Sequence, residues 1–100
     1  MMSLSPIEVD GHQVFAIEVN LPKTNLLVVT TEKGYIMCGA LDVQLLNDQL
    51  KDREIIAGRA VGVRTIDELL DAPLESVTHK AKALGIEEGT LGKEAIIKML

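Results

Sequence analysis

Aromatic side chains are almost missing from this 100-residue chain: there is no tryptophan, and Phe15 and Tyr35 are the only rings. A surface that binds single-stranded nucleic acid by stacking bases on aromatic faces has nothing to be built from. Cations are outnumbered as well, with 10 Lys and Arg against 15 Asp and Glu and a net charge of -5. Affinity for a phosphate backbone rests on clustered Lys and Arg that release counterions, so nucleic acid is excluded as a partner. Cys38 is the one cysteine and cannot close an intrachain disulfide. With no charged-then-apolar leader at the start, a cytoplasmic location is expected. Long hydrophobic runs are absent too. Stretches such as Leu26-Leu27-Val28-Val29 and Tyr35-Ile36-Met37-Cys38 fall far short of the roughly 20 residues a membrane-spanning helix needs, and no membrane partner is expected.

What is present describes a folded chain. Apolar residues make up 47% and charged residues 25%, far from the low-hydrophobicity, high-charge composition of disorder. A chain of this length holds one modest core and falls short of two, so residues 1–100 are expected to form a single domain. With so few rings, its core must come from Ile, Leu, Val and Met. A small apolar domain with several strand edges can also hide surface against copies of itself, which makes self-association an expectation.

Met1 to Pro6 reads as a lead-in, Ile7-Glu8-Val9 as a strand and Asp10-Gly11 as a hairpin turn, since both central positions of a type I′ turn need positive φ. In the returning strand, His12 to Asn20, the residues Val14, Ala16, Glu18 and Asn20 share one face. Phe15, Ile17, Val19 and Leu21 share the other, and this second face is expected to point inward. Leu21-Pro22-Lys23-Thr24-Asn25 is a turn, with Pro presetting φ and Asn suited to unusual geometry. Leu26 to Thr31 is apolar on both faces and belongs in the middle of a sheet or beneath a partner subunit. Glu32-Lys33-Gly34 closes another hairpin, and Tyr35 to Cys38 is a fourth strand.

At Gly39 the pattern changes from strand to helix. Leu41, Val43, Leu45, Leu46 and Leu50 fit a helical stripe that ends near Arg53. Glu54 to Val63 is β-branched and small and reads as a strand, with Gly58 and Gly62 marking a bulge or the close approach of another backbone. Thr65 is an N-cap for Ile66 to Leu70, with Glu68 completing a capping box. Asp71 is expected to cap a further helix with Pro73 near its first turn. That helix runs to about Leu84, where Gly85 stops it. After a turn at Gly89-Thr90-Leu91-Gly92, with Thr90 available as a cap, Lys93 to Leu100 forms a last helix burying Ala95, Ile96, Met99 and Leu100. The fold class is α+β: an N-terminal antiparallel meander of about four strands, then a helix, one further strand and two or three C-terminal helices.

Cys38 is the first candidate for chemistry. A helix starting just after Gly39 would place the thiol near unpaired backbone N–H groups and favour the thiolate, whereas burial as a small hydrophobe accounts for the same residue without reactivity. Catalysis would also need a base, and only His12 or His79 could supply an imidazole. Gly34, Gly39, Gly58 and Gly62 could open N–H groups toward an anion or simply permit tight turns and close packing. None fits a phosphate-loop or dinucleotide fingerprint, and no cofactor is implied. Arg59 and Arg64, five apart, would point to opposite faces of a regular strand. Arg64, immediately before Thr65, could offer a fork to a small anionic ligand or pair with Asp67, Glu68 or a partner subunit. Asp42, Asp67, Glu68 and Asp71 stand in or before first helical turns, where the helix dipole alone accounts for a carboxylate. His12 and His79 have no second His or Cys at ligand spacing, and a metal site is not expected.

Four segments give the chain a wider likeness: Leu21 to Asn25, Gly34 to Val43, Ala57 to Thr65 and Asp71 to Val77. On these it resembles the YunC-like family of small bacterial and archaeal proteins of unknown function. The resemblance implies an α+β domain whose N-terminal β-rich region, about residues 5–38, makes a homotetramer, followed by an α-rich part over about residues 40–100. It supplies no activity. The functional expectation is a homotetrameric binding module with a small-ligand or protein site where Gly34 to Asp42 and Gly58 to Thr65 lead from strand to helix. Gly34, Gly39, Asp42, Arg59, Gly62, Arg64 and Thr65 are its candidate binding residues. A cysteine-dependent enzyme using Cys38 and a purely structural scaffold are the alternatives.

Overall fold

Asp10 and Gly11 both take positive φ, 52° and 82°, and join β1 (Met2–Val9) to β2 (His12–Leu21) as an antiparallel pair. The computed structural model describes residues 2–48 and 51–100. β1 begins at Met2, so most of the expected lead-in is strand. At the next turn Lys23, not Asn25, adopts the left-handed conformation, with φ 65°, and β3 (Thr24–Thr30) starts immediately after it. The Thr31 hydroxyl then accepts the backbone N–H groups of Lys33 and Gly34 at 3.1 and 3.0 Å and reverses the chain into β4 (Gly34–Met37). The first four strands form the antiparallel meander the sequence predicts.

From β4 the chain crosses through α1 (Val43–Asp48) and a 3-10 turn at Lys51–Arg53 to β5 (Ile56–Arg59), which lies parallel to β4. Of the expected stripe, Val43 and Leu46 are buried, Leu45 is exposed, and Leu50 lies outside the described residues. β5 is shorter than the Glu54 to Val63 expectation. It is followed by α2 (Ile66–Asp71), β6 (Ser76–Val77), α3 (His79–Ala83) and α4 (Gly92–Lys98). All six strands form one sheet in the order β1-β2-β3-β4-β5-β6, so Leu26 to Thr30 does lie mid-sheet.

The expected helix from Asp71 to Leu84 does not form as one piece. Pro73 has no N–H to give a helix and bridges Leu91 instead. Leu74 N–H donates to Thr90 O at 2.9 Å, Glu75 N–H to Arg59 O at 2.7 Å and Thr78 N–H to Ala57 O at 2.9 Å. With those bonds committed elsewhere, only α3 is left as helix. Its cap is Thr78, whose buried hydroxyl accepts both Ala81 N–H and Ala57 N–H. Gly85, φ 85°, ends α3 as expected. Thr90 does not cap α4; its hydroxyl accepts Glu87 N–H at 3.1 Å, and Leu91 is the N-cap without a side-chain bond. Ala95, Ile96 and Met99 are buried, but Leu100 is exposed.

The largest revision concerns which side of the meander faces the core. Register places Ala16, Val29 and Ile36 in one row, and these are buried together with Val14 and Leu27 under α2 and α4. The opposite face therefore holds Phe15, Ile17, Val19 and Leu21, the residues expected inside. Phe15 and Leu21 are each 43% exposed, and they are joined by Met2 at 74% and Leu4 at 65%. Alternation favoured the more apolar face of β2, but the covered one, which also carries Glu18 and Asn20, is the one α2 and α4 pack on through Val14 and Ala16 and the neighbouring strands.

Candidate functional site

Parallel pairing of β4 with β5 brings the two glycine-containing junctions together. Met37 stands opposite Arg59, and Ala60 N–H extends the ladder by donating to Met37 O at 2.9 Å. Arg59 then ties three segments. Its Nε and Nη2 donate to Gly39 O at 3.2 and 3.0 Å, and its Nη1 donates to Glu75 Oε2 at 2.6 Å beside β6. A groove of about 740 Å³ opens at this point, lined among others by Gly39, Asp42, Asn47, Arg59, Glu75 and His79. It lies at the carboxyl ends of the parallel strands, the edge where open α/β sheets place their ligands.

The groove is polar and on balance acidic. Arg59 is neutralised by Glu75, and Lys82 by Glu88 at 3.2 Å, which leaves the carboxylates of Asp42 and Asp48 on its wall without an ion-pair partner among the described residues. Asp42 also accepts Leu45 N–H at 2.9 Å, a cap for the start of α1. Asn47 Oδ1 accepts the His79 N–H at 2.9 Å and so joins α1 to α3 across the groove. Three Arg59 N–H donors are engaged, and its charge is neutralised by Glu75.

The other sequence candidates lie away from this groove. Cys38 is 6% exposed and belongs to the hydrophobic core; its Sγ donates toward Asn25 O at 3.7 Å. The helix it was expected to adjoin starts only at Val43. Gly34 is buried where an added Cβ would come within 2.5 Å of Ile56 O, and it serves close strand packing. Gly62, φ 74°, faces open space in the turn after β5. The Thr65 hydroxyl accepts Glu68 N–H at 3.1 Å as the predicted N-cap, while Glu68 returns its carboxylate to Arg64 N–H at 2.7 Å. The Arg64 guanidinium makes no ion pair with Asp67 or Glu68; with Lys23 it lines a separate depression. The turn at Gly62 places Arg59 and Arg64 on different surfaces.

Glu75, Asn47 and Ser76 were not singled out from the sequence. Glu75 and Ser76 were hidden because their segment reads as helix, and a half-buried Asn on a six-residue helix carries no signal of its own.

The architecture is that of an α+β protein with a β-meander joined through a parallel crossover to a helical half. The chain matches the family described as a domain of unknown function, DUF1805, over residues 37–99, and it belongs to that family. It is 61% identical over 100 residues, all of this chain and 99% of the relative, to the uncharacterized protein YunC of Bacillus subtilis strain 168. The crystal structure of a protein of unknown function from Thermoplasma acidophilum, TA1206, superposes with a TM-score of 0.88 at 31% identity, covering all of this chain and 94% of that one. The family match begins at the last residue of β4, so the meander lies almost wholly outside it.

Proposed function

We propose that the chain is a homotetrameric binding module in which β1–β3 assemble the copies and the groove at the ends of β4 and β5 takes a ligand. The observation that carries this reading is the apolar face left bare by the helices. Register arranges it as rows across the meander: Met2 and Val19; Leu4, Ile17 and Val28; Pro6 and Phe15, followed by Thr30 and Tyr35, with Leu26 and Met37, which pack against the core, at its margin. A contiguous apolar patch of this kind on a small protein is the mark of an interaction surface. The same face on each copy suits the self-complementary contact of a closed oligomer, and the YunC-like resemblance implies four copies. The groove's wall of carboxylates, amides and hydroxyls suits a small polar ligand, uncharged or cationic, better than an anion.

Sedimentation at micromolar concentration tests the assembly, with a mass near four copies of the 10.9 kDa chain expected. A 10.9 kDa monomer would overturn it. An NMR screen of small amines and polyols tests the groove. Shifts at the amides of Gly39 to Asp42 and Ser76 support it, and binders that move only other residues refute it.

A further inference from the structure

The depression holding Arg64 differs in charge from the rest of the molecule. About 520 Å³ in volume, it is lined by Leu21, Lys23, Thr24, Asn25, Val63 and Arg64. Among the described residues no carboxylate is on that wall, although the chain carries a net charge of -5. Lys80, Lys82, Lys93 and Arg59 are in ion pairs, and Lys33 and Lys98 donate to carbonyls. The Lys23 and Arg64 side chains, like that of Arg53, have neither kind of partner among the described residues, and only these two share a depression. Two distant segments supply them, the β2–β3 turn and the loop after β5, and the turn presents Lys23 from a left-handed backbone at φ 65°.

The neighbouring polar side chains are uncharged. Asn25 Oδ1 accepts Asn20 Nδ2 at 3.0 Å, and Thr24 and Asn25 both line the depression. Asp67 is the nearest acid in the sequence to Arg64 and makes no ion pair with it, and the Glu68 carboxylate accepts the Arg64 backbone N–H.

The geometry points to a second binding surface here, selective for the phosphoryl group of a small molecule. Lys23 and Arg64 supply two positive charges for a dianion. Arg64 offers a planar fork and Lys23 a point charge. The inference extends the binding-module reading to a second surface and rests on it only in that both surfaces flank the end of β5.

The experiment is an NMR titration of the full chain with inorganic phosphate at pH 8, where the dianion dominates, with ionic strength matched by sodium chloride. Saturable shifts at Thr24, Asn25, Val63 and Arg64 are expected. Lys23→Asn, which suits the left-handed backbone, and Arg64→Gln should each weaken binding by roughly tenfold or more, the loss of one charge-assisted hydrogen bond. The double variant should abolish it. Binding that survives the double variant, shifts that map to Gly39–Asp48, or shifts reproduced by chloride would overturn the site. Malonate binding as tightly as phosphate would overturn the phosphoryl assignment. If a variant fails to fold, the shift map of the unaltered chain decides the question. Oligomer mass and the amine and polyol screen report separately on the assembly and the groove.

Discussion

Arg59 holds the carbonyl oxygen of Gly39 with two donors, Nε at 3.2 Å and Nη2 at 3.0 Å, while Nη1 reaches Glu75 at 2.6 Å. The groove keeps its shape because one side chain joins the ends of β4, β5 and β6. Arg59→Ala is expected to lower stability by about 1–2 kcal/mol in urea denaturation, toward the lower end because both charges are partly solvated. Glu75→Gln should cost less, since it leaves both bonds to Gly39. Equal effects of the two changes would show that the Gly39 contact contributes little.

Close packing accounts for Gly58. An added Cβ would stand 2.6 Å from Leu74 Cδ1, and Leu74 is fully buried. Gly58→Ala is therefore expected to destabilise by about 1–3 kcal/mol through overpacking. Combining it with Leu74→Ala should cost less than the sum of the two single changes, because the new methyl occupies space the leucine vacates. Strict additivity in chemical denaturation would contradict this contact.

On the bare face, Phe15 stands in register with Pro6 and Thr30. Phe15→Glu together with Leu4→Glu should convert the proposed tetramer to a monomer, with far-UV circular dichroism unchanged, because neither side chain belongs to the helix-covered core. An assembly that persists with both charges in place would put the interface elsewhere.

Tyr35 is the only tyrosine in a chain without tryptophan, so its ionisation can be followed by absorbance without interference. Partial burial raises its pKa above the ordinary phenol value of 10.0. Above that ordinary value the unfolded chain loses the phenol proton first. Stability from this group is accordingly full below the ordinary value and declines as pH rises through the raised one. The absorbance midpoint should lie higher in the native protein than in concentrated urea; coincident midpoints would refute the shift.

Cys38 should behave as a core residue. Its thiol is expected to resist a disulfide reagent under native conditions and to react at the rate of opening, accelerating as urea is added. Rapid stoichiometric labelling of the native protein at neutral pH would revive the reactive-thiol alternative.

Local chemistry made much of the fold legible. Asp10-Gly11, Thr65 with Glu68 and Gly85 act through their own backbones and near neighbours, so their turn, cap and stop could be read from short windows. The failures involve distant partners. Residues 72–78 have helical spacing, but their N–H groups are drawn to Ala57, Arg59 and Thr90. Thr78 becomes a cap because β5 lies beside it.

The same division runs through the candidate site. That the chain leaves strands within Gly34 to Asp42 and near Gly58 to Thr65, with Arg59 and Arg64 close by, was legible in residue type and short-range periodicity, but the end of the second strand was not: it was expected at Val63 and lies at Arg59. Only the tertiary structure decided that the parallel β4–β5 pair sets those exits side by side, that Glu75 and Gly39 occupy Arg59, and that Lys23 comes to Arg64 from another turn. It also decided that Val14 and Ala16 are covered while Phe15 and Ile17 are not. The choice depends on which side α2 and α4 cross the sheet, a matter of chain-wide packing that no alternating pattern within one strand can encode.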